Sequence, residues 1–571
     1  MRKNPFYEMD LEEKRLRSEA KKNHKKEAKR RVETRGANSS SVLRLFIVGI
    51  VILLHIALLV LAVLYIQGVG EGIVNVEENE QVAFLQFLFA LVQLTAVMAY
   101  IVLRVLAVFF VLALFARTWN SAFKLPWIIF ILLSPVVGLI LYLLLGRKGT
   151  ISRRERRKYA RIRNKIWPNY IQKPGVIDEY KNSDPELYHQ LYYLNKEAGY
   201  TAFKNTDVTY YREGKHGLDA QILELRKAKK FIFFEYHAIE NQVAFEKIKR
   251  VLFEKAAEGV EVRVFYDDMG SIGFINHKFR KEMVEHGVKC RVFNPLKPFM
   301  ITFMNNRDHR KITVIDGKVG FTGGYNIADE YFDITHPYGD WIDTGIKLEG
   351  EAVNSLSLIF LENWNAIKET DSKEDIKNYL IDYSSYKVKE PKGVILPYAD
   401  GPVDGVPLAE TAYMNLIRDA KHYIYITTPY LIITDEMTRE FIDAAKRGID
   451  VRIITPGIPD KAIVYKMTRS YYMNLAKAGI KICEYKYGFV HSKMMLVDDH
   501  MAIIGTINLD YRSLYHHFEN ACFFSEYRCL YEVRKTFDYL LERSRDVTEK
   551  HARKRRLSAI EVILRLFAPL M

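Results

Sequence analysis

Two halves of this chain repeat each other, and this repeat constrains the fold more than any other feature of the sequence. Three segments recur in the same order, and they begin at Lys229 and Lys421, at Gly259 and Gly448, and at Gly287 and Gly479. Each segment contains a short apolar run typical of a buried strand, next to a stretch with helical periodicity. The repeated part is therefore predicted to fold as two copies of one α/β unit. We expect the copies to span 196–390 and 391–571, because the stretch 391–403 is rich in Pro, Gly and Asp, as linkers are.

The most distinctive part of the repeat is an H-x-K-x4-D motif, which occurs once in each copy. The motif residues are His309, Lys311 and Asp316 in the first copy and His491, Lys493 and Asp498 in the second. Each motif continues through a glycine to an asparagine, Asn326 or Asn508. A His and a Lys two positions apart on a strand point to the same face. If the two copies face each other across a pseudo-twofold axis, two imidazoles, two ammonium groups and two amides surround one cavity.

This set of groups is suited to a phosphodiester. Lysine and asparagine can hold the non-bridging oxygens and the charge that develops on them. One imidazole can attack phosphorus, while the other protonates the leaving oxygen and then deprotonates the incoming hydroxyl. The sequence has no carboxylate cluster or His/Cys set that predicts a metal, so we expect neither a metal nor a cofactor. Its four cysteines, which are scattered, argue against a disulfide scaffold.

The net charge of +15 is concentrated outside the repeat. Residues 1–41 contain 13 Lys/Arg and 7 Asp/Glu, and residues 147–165 contain 10 Lys/Arg and one Asp/Glu, so the remainder is neutral overall. A groove that follows a nucleic-acid backbone would place the excess charge on the folded body. This distribution excludes nucleic acid as a partner of the repeat. It predicts a basic tail over 1–41 and a basic juxtamembrane linker over 147–195 that contact a membrane leaflet.

Between the basic segments lie three apolar runs, Leu45–Ile66, Val82–Ala116 and Leu125–Leu145. The first, at ~1.5 Å per residue, is long enough to cross a hydrocarbon core of ~30 Å. We therefore predict an α-helical transmembrane region over 42–146. The loop Gly68–Val82 has four Glu and no Lys or Arg, which places it outside and the basic segments inside.

Two cytoplasmic ends require an even number of crossings, whereas the apolar runs number three. Either Val82–Ala116 contains two crossings that meet near Arg104, or the Pro-Val-Val-Gly stretch at 135–138 makes a re-entrant or interfacial bend. The sequence leaves both open, and we take the second as the expectation. A lipid-exposed break is forbidden, so the bend requires protein packed around it.

The doubled motif resembles that of the phospholipase D superfamily, and the match to bacterial cardiolipin synthases is close. Further segments that carry the resemblance are Leu125–Gly146, Arg307–Lys311, Asp400-Gly-Pro, Thr428-Pro-Tyr430 and Asn508–Ser513. The resemblance implies two phospholipase D-like α/β/α repeats with pseudo-twofold symmetry after an N-terminal membrane region. It implies a multi-pass protein of the bacterial cell membrane whose catalytic part faces the cytoplasm, and it leaves a homo-oligomer open.

The resemblance also implies a reaction and its residues. Two phosphatidylglycerol molecules give cardiolipin and glycerol through a phosphatidyl-histidine intermediate, without a metal. His309 is then the nucleophile and His491 the acid/base, although the near symmetry keeps the reverse assignment open. Family enzymes place an acid that orients the histidine 28 to 34 positions after it, which here selects Asp343 and Glu519. The alternative for each is an ordinary surface salt bridge.

Several alternatives stay open at this stage. For Asp316 and Asp498, at the far end of their strands, an orienting or fold-holding role is expected rather than contact with an imidazole. The activity could instead be hydrolysis to phosphatidic acid, or the repeat could be a membrane scaffold without catalysis. Phosphatidylglycerol and phosphatidylethanolamine both fit as acceptors. The apolar loop Pro295–Met304 is either an acyl-chain contact or part of the core, and the tail after Arg553 is either a surface anchor or a docked helix.

Overall fold

The structure is a computed structural model, and it describes residues 80–146, 152–167, 175–275, 277–295, 305–368, 376–389, 392–403 and 405–570. Several predictions fall wholly or mostly outside these residues. They concern the basic tail 1–41, the apolar run Leu45–Ile66, most of the acidic loop after Gly68, residues 147–151 of the second basic segment, and the apolar loop at 296–304.

The N-terminal unit described by the structure is helical. Its helices are α1 Glu80–Phe115, α2 Ser121–Leu133 and α3 Pro135–Leu145. Helix α1 is continuous past Arg104, so the break that two crossings within Val82–Ala116 would need is absent from it. Within the described residues, Met98–Phe115 is the one stretch both long and apolar enough for a membrane span.

Helices α2 and α3 form a short apolar hairpin. A Cβ on Gly138 would lie 2.6 Å from the Ile131 Cα, so the glycine is what lets the two backbones approach this closely. Pro135 begins α3 and removes the N–H that would continue α2. At ~1.5 Å per residue each helix extends about 17–20 Å, which is too short to cross a ~30 Å hydrocarbon core alone. Arg104 of α1 donates a hydrogen bond to the Leu132 carbonyl at 3.0 Å, near the tip of the hairpin.

The rest of the described chain forms a mixed α/β fold, as the sequence predicts. Its helices are α4 Arg153–Ile166, α5 Pro185–Ala198, α6 Gly214–Leu225, α7 Val243–Ala257, α8 His277–Glu285, α9 Ala352–Ile367, α10 Leu408–Asp419, α11 Asp435–Lys446, α12 Ala462–Lys477, α13 Tyr511–Tyr515, α14 Cys529–Glu542, α15 Thr548–Ala552 and α16 Ala559–Leu566. Its strands are β1 Thr206–Tyr211, β2 Phe231–Tyr236, β3 Glu261–Asp267, β4 Lys289–Phe293, β5 Lys311–Ile315, β6 Val319–Gly323, β7 Asp340–Ile342, β8 Gly345–Gly350, β9 Val394–Asp400, β10 Tyr423–Thr427, β11 Leu431–Ile432, β12 Asp450–Pro456, β13 Lys481–Tyr485, β14 Gly488–Val490, β15 Met494–Val497, β16 Met501–Gly505, β17 Leu509–Asp510, β18 Glu519–Ser525 and β19 Ser544–Asp546.

Two large sheets share one strand order. The first runs β1-β8-β6-β5-β2-β3-β4, and the second, read from the other edge, runs β9-β18-β16-β15-β10-β12-β13 with β19 added. The motif lysines, at the start of β5 and just before β15, occupy corresponding places in the two sheets. Strand β5 lies antiparallel between β6 and β2, and β15 lies antiparallel between β16 and β10. The same sequence pattern has therefore produced the same sheet twice.

The two copies exchange backbone contacts around the motifs. Strand β7 of the first copy pairs in parallel with β14 of the second, in the register Trp341 with Phe489. On the opposite side, a bridge joins Asp308 to Phe518. At each junction, the residue before a motif histidine pairs with a residue of the other copy. A carboxylate directly follows that residue in the chain.

Candidate active site

His309 lies against a carboxylate of the second copy. Its backbone N–H donates to the Phe518 carbonyl at 2.8 Å, which holds the imidazole beside Glu519. The Nδ1 atom lies 2.9 Å from each carboxylate oxygen. The Thr506 hydroxyl also donates to this carboxylate. Histidine and glutamate are both buried, so the pair is held without competition from solvent.

His491 makes the reciprocal arrangement with the first copy. Its backbone N–H donates to the Ile342 carbonyl at 2.7 Å, and its Nδ1 lies 2.6 Å from an oxygen of Asp343. The structure thus places both sequence-predicted carboxylates against an imidazole. Each contacts the histidine of the other copy, whereas the spacing rule counts from the histidine of the same copy. The exchange follows from the β7–β14 pairing and the Asp308–Phe518 bridge, which carry each carboxylate across.

The environment keeps both imidazoles neutral and leaves Glu519 ionised. Burial, opposed by the facing carboxylate, lowers the pKa of His309 to about 3 and that of His491 to about 4. Burial acts to raise the pKa of Glu519, but its electrostatic interaction and hydrogen bond with His309 outweigh this and hold the pKa well below its usual range. A neutral imidazole that donates Nδ1–H to a carboxylate keeps a lone pair on Nε2. Each histidine is thereby prepared either to attack or to exchange a proton through Nε2.

Both motif lysines are buried beside the histidines. Lys311 donates from Nζ to the His309 carbonyl at 2.6 Å. Lys493 lies 2.8 Å from Nδ1 and 3.1 Å from Nε2 of His491. Burial lowers the pKa of Lys311 to about 8 and that of Lys493 to about 7, although the nearby carboxylates act to raise both. These ammonium groups lack the solvation of a surface lysine and are suited to binding an anion.

The two asparagines differ in their hydrogen bonds. Asn326 accepts from the Ala238 N–H at 3.2 Å and donates to the Tyr331 hydroxyl at 2.9 Å. The Tyr331 ring in turn contacts the His491 ring edge-on, with centroids 5.2 Å apart. Asn508 is also buried, and its Oδ1 has no hydrogen-bond partner among the described residues. A buried amide oxygen of this kind is a place for a donor supplied by a ligand or water.

Asp316 and Asp498 lie at the far ends of β5 and β15, away from the histidines. Asp316 accepts from the backbone N–H groups of Lys229, Lys230 and Phe231 at 2.7–2.9 Å. Asp498 binds the equivalent N–H groups of residues 421–423 at 2.7–2.9 Å. Strands rise ~3.3 Å per residue, so each carboxylate is roughly 20 Å from the histidine of its own motif. Both motif aspartates hold the site strand to its neighbour and do not contact the reacting groups.

Sequence reasoning missed two further imidazoles near His309. The His237 ring lies 4.9 Å from it and the His517 ring 5.5 Å from it, measured between centroids. His517 Nδ1 also lies 3.5 Å from Glu519 Oε1. The available signals were the position of His237 just after β2 and of His517 two residues before Glu519. Neither has a histidine counterpart beside His491, whose surroundings are aromatic. The Trp341 ring lies 5.4 Å and the Phe489 ring 5.9 Å from the His491 ring, measured between centroids.

Among the described residues, one group brings three potential metal ligands together. Atoms of His309, His517 and Glu519 all lie within 4.8 Å of one another. The His309 Nδ1 is already hydrogen-bonded to Glu519, so a cation there would displace the proton that orients the imidazole. The residues therefore fit a metal that inhibits better than one that assists.

Comparison with known proteins shows the family to which the chain is similar. A family model described as "Cardiolipin synthase, PLD-like domain" matches residues 222–343 and 413–541, and a "Phospholipase_D-nuclease N-terminal" model matches 102–147. The chain is 38% identical over 447 residues to an "Uncharacterized protein" of Streptococcus mutans, which covers 78% of this chain and 96% of the relative. It is 33% identical over 470 residues to a cardiolipin synthase of Geobacillus kaustophilus, which covers 81% of this chain and 92% of the relative. A solved phosphatidylserine synthase of Haemophilus influenzae is 16% identical, with a TM-score of 0.49, and covers 63% of this chain and 92% of that one.

Proposed function

This chain belongs to the cardiolipin synthase family of the phospholipase D superfamily and is therefore a phosphatidyltransferase, and we propose that it converts two phosphatidylglycerol molecules to cardiolipin and glycerol through a phosphatidyl-histidine. The observation that carries the proposal is the pair of reciprocal buried dyads, His309 with Glu519 and His491 with Asp343. Two imidazoles, each with its tautomer set by a carboxylate, provide one nucleophile and one acid/base.

In the first step the Nε2 lone pair of His309 attacks phosphorus of the first phosphatidylglycerol. The bond from phosphorus to the headgroup glycerol oxygen breaks, and protonated His491 gives its proton to that oxygen. Free glycerol leaves, and a phosphatidyl group remains on His309. The imidazole ring becomes cationic as the P–N bond forms, and ionised Glu519 stabilises this charge through the Nδ1 hydrogen bond.

In the second step neutral His491 takes the proton from a headgroup hydroxyl of a second phosphatidylglycerol. The hydroxyl oxygen attacks phosphorus, the bond from phosphorus to Nε2 breaks, and cardiolipin is released with His309 neutral again. The overall exchange swaps one phosphodiester for another, so no oxidant, reductant or water is consumed. Its direction depends on loss of glycerol to the aqueous phase.

His491 takes up the proton that it needs from solvent when the negative charge of the substrate enters the site. With a pKa of about 4 the imidazole is neutral before substrate binds, at neutral pH. A phosphodiester carries one negative charge, and a negative charge in a buried site raises the pKa of nearby imidazole and ammonium groups. Lys493, whose Nζ is 3.1 Å from Nε2 of His491, is positioned to share that proton. Both lysines then hold the non-bridging oxygens while charge builds on them.

The test is a product analysis with purified protein in phosphatidylglycerol bilayers containing EDTA. We expect cardiolipin and glycerol in equal amounts, and a phosphatidyl group on His309 that can be trapped by acid quench with phosphorus-labelled substrate. His309→Ala should lose at least ~10³ of the rate. Phosphatidic acid as the main product would establish hydrolysis instead, and full activity of His309→Ala would contradict the mechanism. Replacing half of the phosphatidylglycerol by phosphatidylethanolamine identifies the phosphatidyl donor, because release of ethanolamine instead of glycerol shows which headgroup leaves. Phosphatidylethanolamine has no headgroup hydroxyl and therefore cannot be the acceptor in this mechanism.

We also propose that the N-terminal unit is embedded in the bacterial cell membrane, with the site on the cytoplasmic side. Helix α1 supplies one candidate span, and the α2–α3 hairpin has the length of a re-entrant segment. The hydrogen bond from Arg104 to Leu132 supports this placement, because a cation inside a membrane needs such a partner. Single cysteines at Gly70 and at Ser183, tested with an impermeant thiol reagent on intact cells, should react at the first position only.

A further inference from the structure

The C-terminal helix α16, Ala559–Leu566, is mounted with its polar side toward the protein. Arg565 donates to the Ser470 hydroxyl at 3.1 Å and to the Ser470 carbonyl at 2.7 Å, and its guanidinium lies 4.3 Å from the Tyr471 ring centre. None of the residues of the helix itself is buried. A helix that packs on a soluble domain normally does the reverse, with its apolar stripe against the core.

Three apolar residues on one side of α16 and just after it face outward, whereas Leu564 and Leu566 are half-buried and the exposed Val562 lies outside this side. Ile560 is 57% exposed, Ile563 56% and Phe567, just past the helix, 46%. At 100° per residue these three lie within one narrow stripe, and Arg565 lies on the opposite side of the helix. The stripe is an exposed hydrophobic patch, which on a folded domain marks a surface covered by another apolar body.

This orientation is fixed before any partner is met. The Ser558 hydroxyl and the Glu561 carboxylate form a capping box at the start of the helix. Lys554 binds both oxygens of Glu561 at 2.7 and 2.6 Å. After the helix, Pro569 is buried. The outward stripe is therefore a stable feature of the fold.

Basic residues flank the stripe. Arg555 and Arg556 are exposed and lie three and two residues before Ser558, the cap of the helix. An apolar stripe beside arginine is the pattern of a helix that lies in the interface of a bilayer with anionic headgroups. Phosphatidylglycerol and cardiolipin are both anionic, so the proposed substrate and product match this charge.

We infer that the stripe of Ile560, Ile563 and Phe567 lies on the anionic lipid surface from which the enzyme takes its substrate. The inference rests on the proposed function only for the identity of the lipid. The end of the chain also connects this surface to the site: the Arg512 side chain donates to the Leu570 carbonyl at 2.8 Å, and the buried His516 lies 3.2 Å from the Pro569 carbonyl. These contacts hold the segment that leads directly into His517 and Glu519.

The experiment uses the full chain reconstituted in nanodiscs. The variant replaces Ile560, Ile563 and Phe567 by Gln. The matched control makes the same replacement by Gln at Leu223, Val243 and Val284, which are 61%, 50% and 59% exposed on other helices. We expect the variant to lose at least ~10-fold of its rate on long-chain phosphatidylglycerol in bilayers and less than ~3-fold on a short-chain monomeric phosphatidylglycerol. The control should keep both rates. Equal rates of variant and wild type on bilayers would overturn the inference.

A spin label provides a readout that does not depend on catalysis. A label on Ile563→Cys, with Leu223→Cys as control, is placed in nanodiscs of phosphatidylglycerol or of phosphatidylcholine. We expect the label at 563 to be relaxed by oxygen dissolved in lipid and shielded from a water-soluble nickel complex, more so in phosphatidylglycerol. An aqueous environment at 563 in both lipids would overturn the inference, even if the triple variant were inactive. If the wild type transferred no phosphatidyl group at all, the proposed function would fail while the label still decided the question of lipid contact.

Discussion

Exchanging Glu519 for Gln tests the crossed pairing directly. The carboxylate accepts from His309 Nδ1 through both oxygens at 2.9 Å and from the Thr506 hydroxyl. An amide can present an N–H to Nδ1, which moves the imidazole proton to Nε2 and removes the lone pair that attacks phosphorus. It also removes the negative charge opposite the cationic phosphohistidine. A wrong tautomer of this kind costs about 10⁴ in rate, so we expect a loss of 10³–10⁴ for Glu519→Gln.

The assay separates the nucleophile from the acid by the choice of leaving group. A phosphatidyl p-nitrophenyl ester has a leaving group that departs without a proton, so its first step needs the nucleophile and not the acid. Rapid mixing then measures a burst of nitrophenol equal to the enzyme concentration. We expect Asp343→Asn and His491→Ala to keep the burst within ~10-fold of the wild-type rate, because these changes act on the acid. Glu519→Gln and His309→Ala should abolish it.

The reverse pattern would refute the crossed assignment. If each carboxylate served the histidine of its own copy, Glu519→Gln would behave like His491→Ala and keep the burst. Exchange of the two histidine roles would be seen separately, since His491→Ala rather than His309→Ala would then lose the burst. A thermal melt of each variant checks that the protein is folded.

Three further predictions concern the remaining groups of the site. Burial lowers the pKa of His309 to about 3 and of His491 to about 4. Between these values and 6.5, the unfolded chain binds protons that the folded chain does not, so thermal stability should fall as the pH drops through this range. The fall should be smaller in the double variant with Gln at both positions. Lys493→Met should abolish transfer. The stability of the wild type minus that of the variant should rise between pH 7 and 10.5, because the folded lysine loses its proton near pH 7 and the unfolded one near 10.5. A difference that does not change with pH would contradict the buried cation. Activity should persist in EDTA, whereas zinc should inhibit it. The His517→Asn variant should need a zinc concentration ~10-fold or more higher for half-inhibition. An unchanged half-inhibition concentration would refute the contact between zinc and His517.

The sequence predicted the mixed α/β fold and the location of each motif lysine beside its histidine because both depend on local pattern. Alternating apolar runs specify strands, and a His and a Lys two positions apart share a face whatever the remainder of the chain does. Even the far-end location of Asp316 follows from the strand length alone. The bend between α2 and α3 was likewise predictable, since Pro135 and Gly138 have direct backbone consequences, while its re-entrant placement in a membrane stays a prediction.

What the sequence could not provide depends on contacts between distant segments. The pairing of Asp343 with His491, and not with His309, is decided by which backbone lies beside β14, and no spacing rule within one copy contains that information. His237 and His517 reach His309 from separate loops of both copies. The outward direction of Ile563 was also beyond the pattern, because the same stripe fits a docked helix or a membrane-facing one until Arg565 is seen to face the protein.

In the proposed mechanism, the crossed dyads make catalysis a property of the joined copies. Each half carries one imidazole and one carboxylate, yet within a half these two do not meet: His309 and Asp343 belong to one copy, and their partners Glu519 and His491 to the other. A half expressed alone would leave its carboxylate without a partner imidazole and its imidazole without the carboxylate that sets its tautomer, so we expect it to be inactive. Both copies contribute equally to the two dyads, so the fold keeps the symmetry needed to assemble the site. The surroundings of the two histidines differ, since imidazoles lie around His309 and aromatic rings around His491. That difference in surroundings is the physical basis on which one histidine can serve as nucleophile and the other as acid/base.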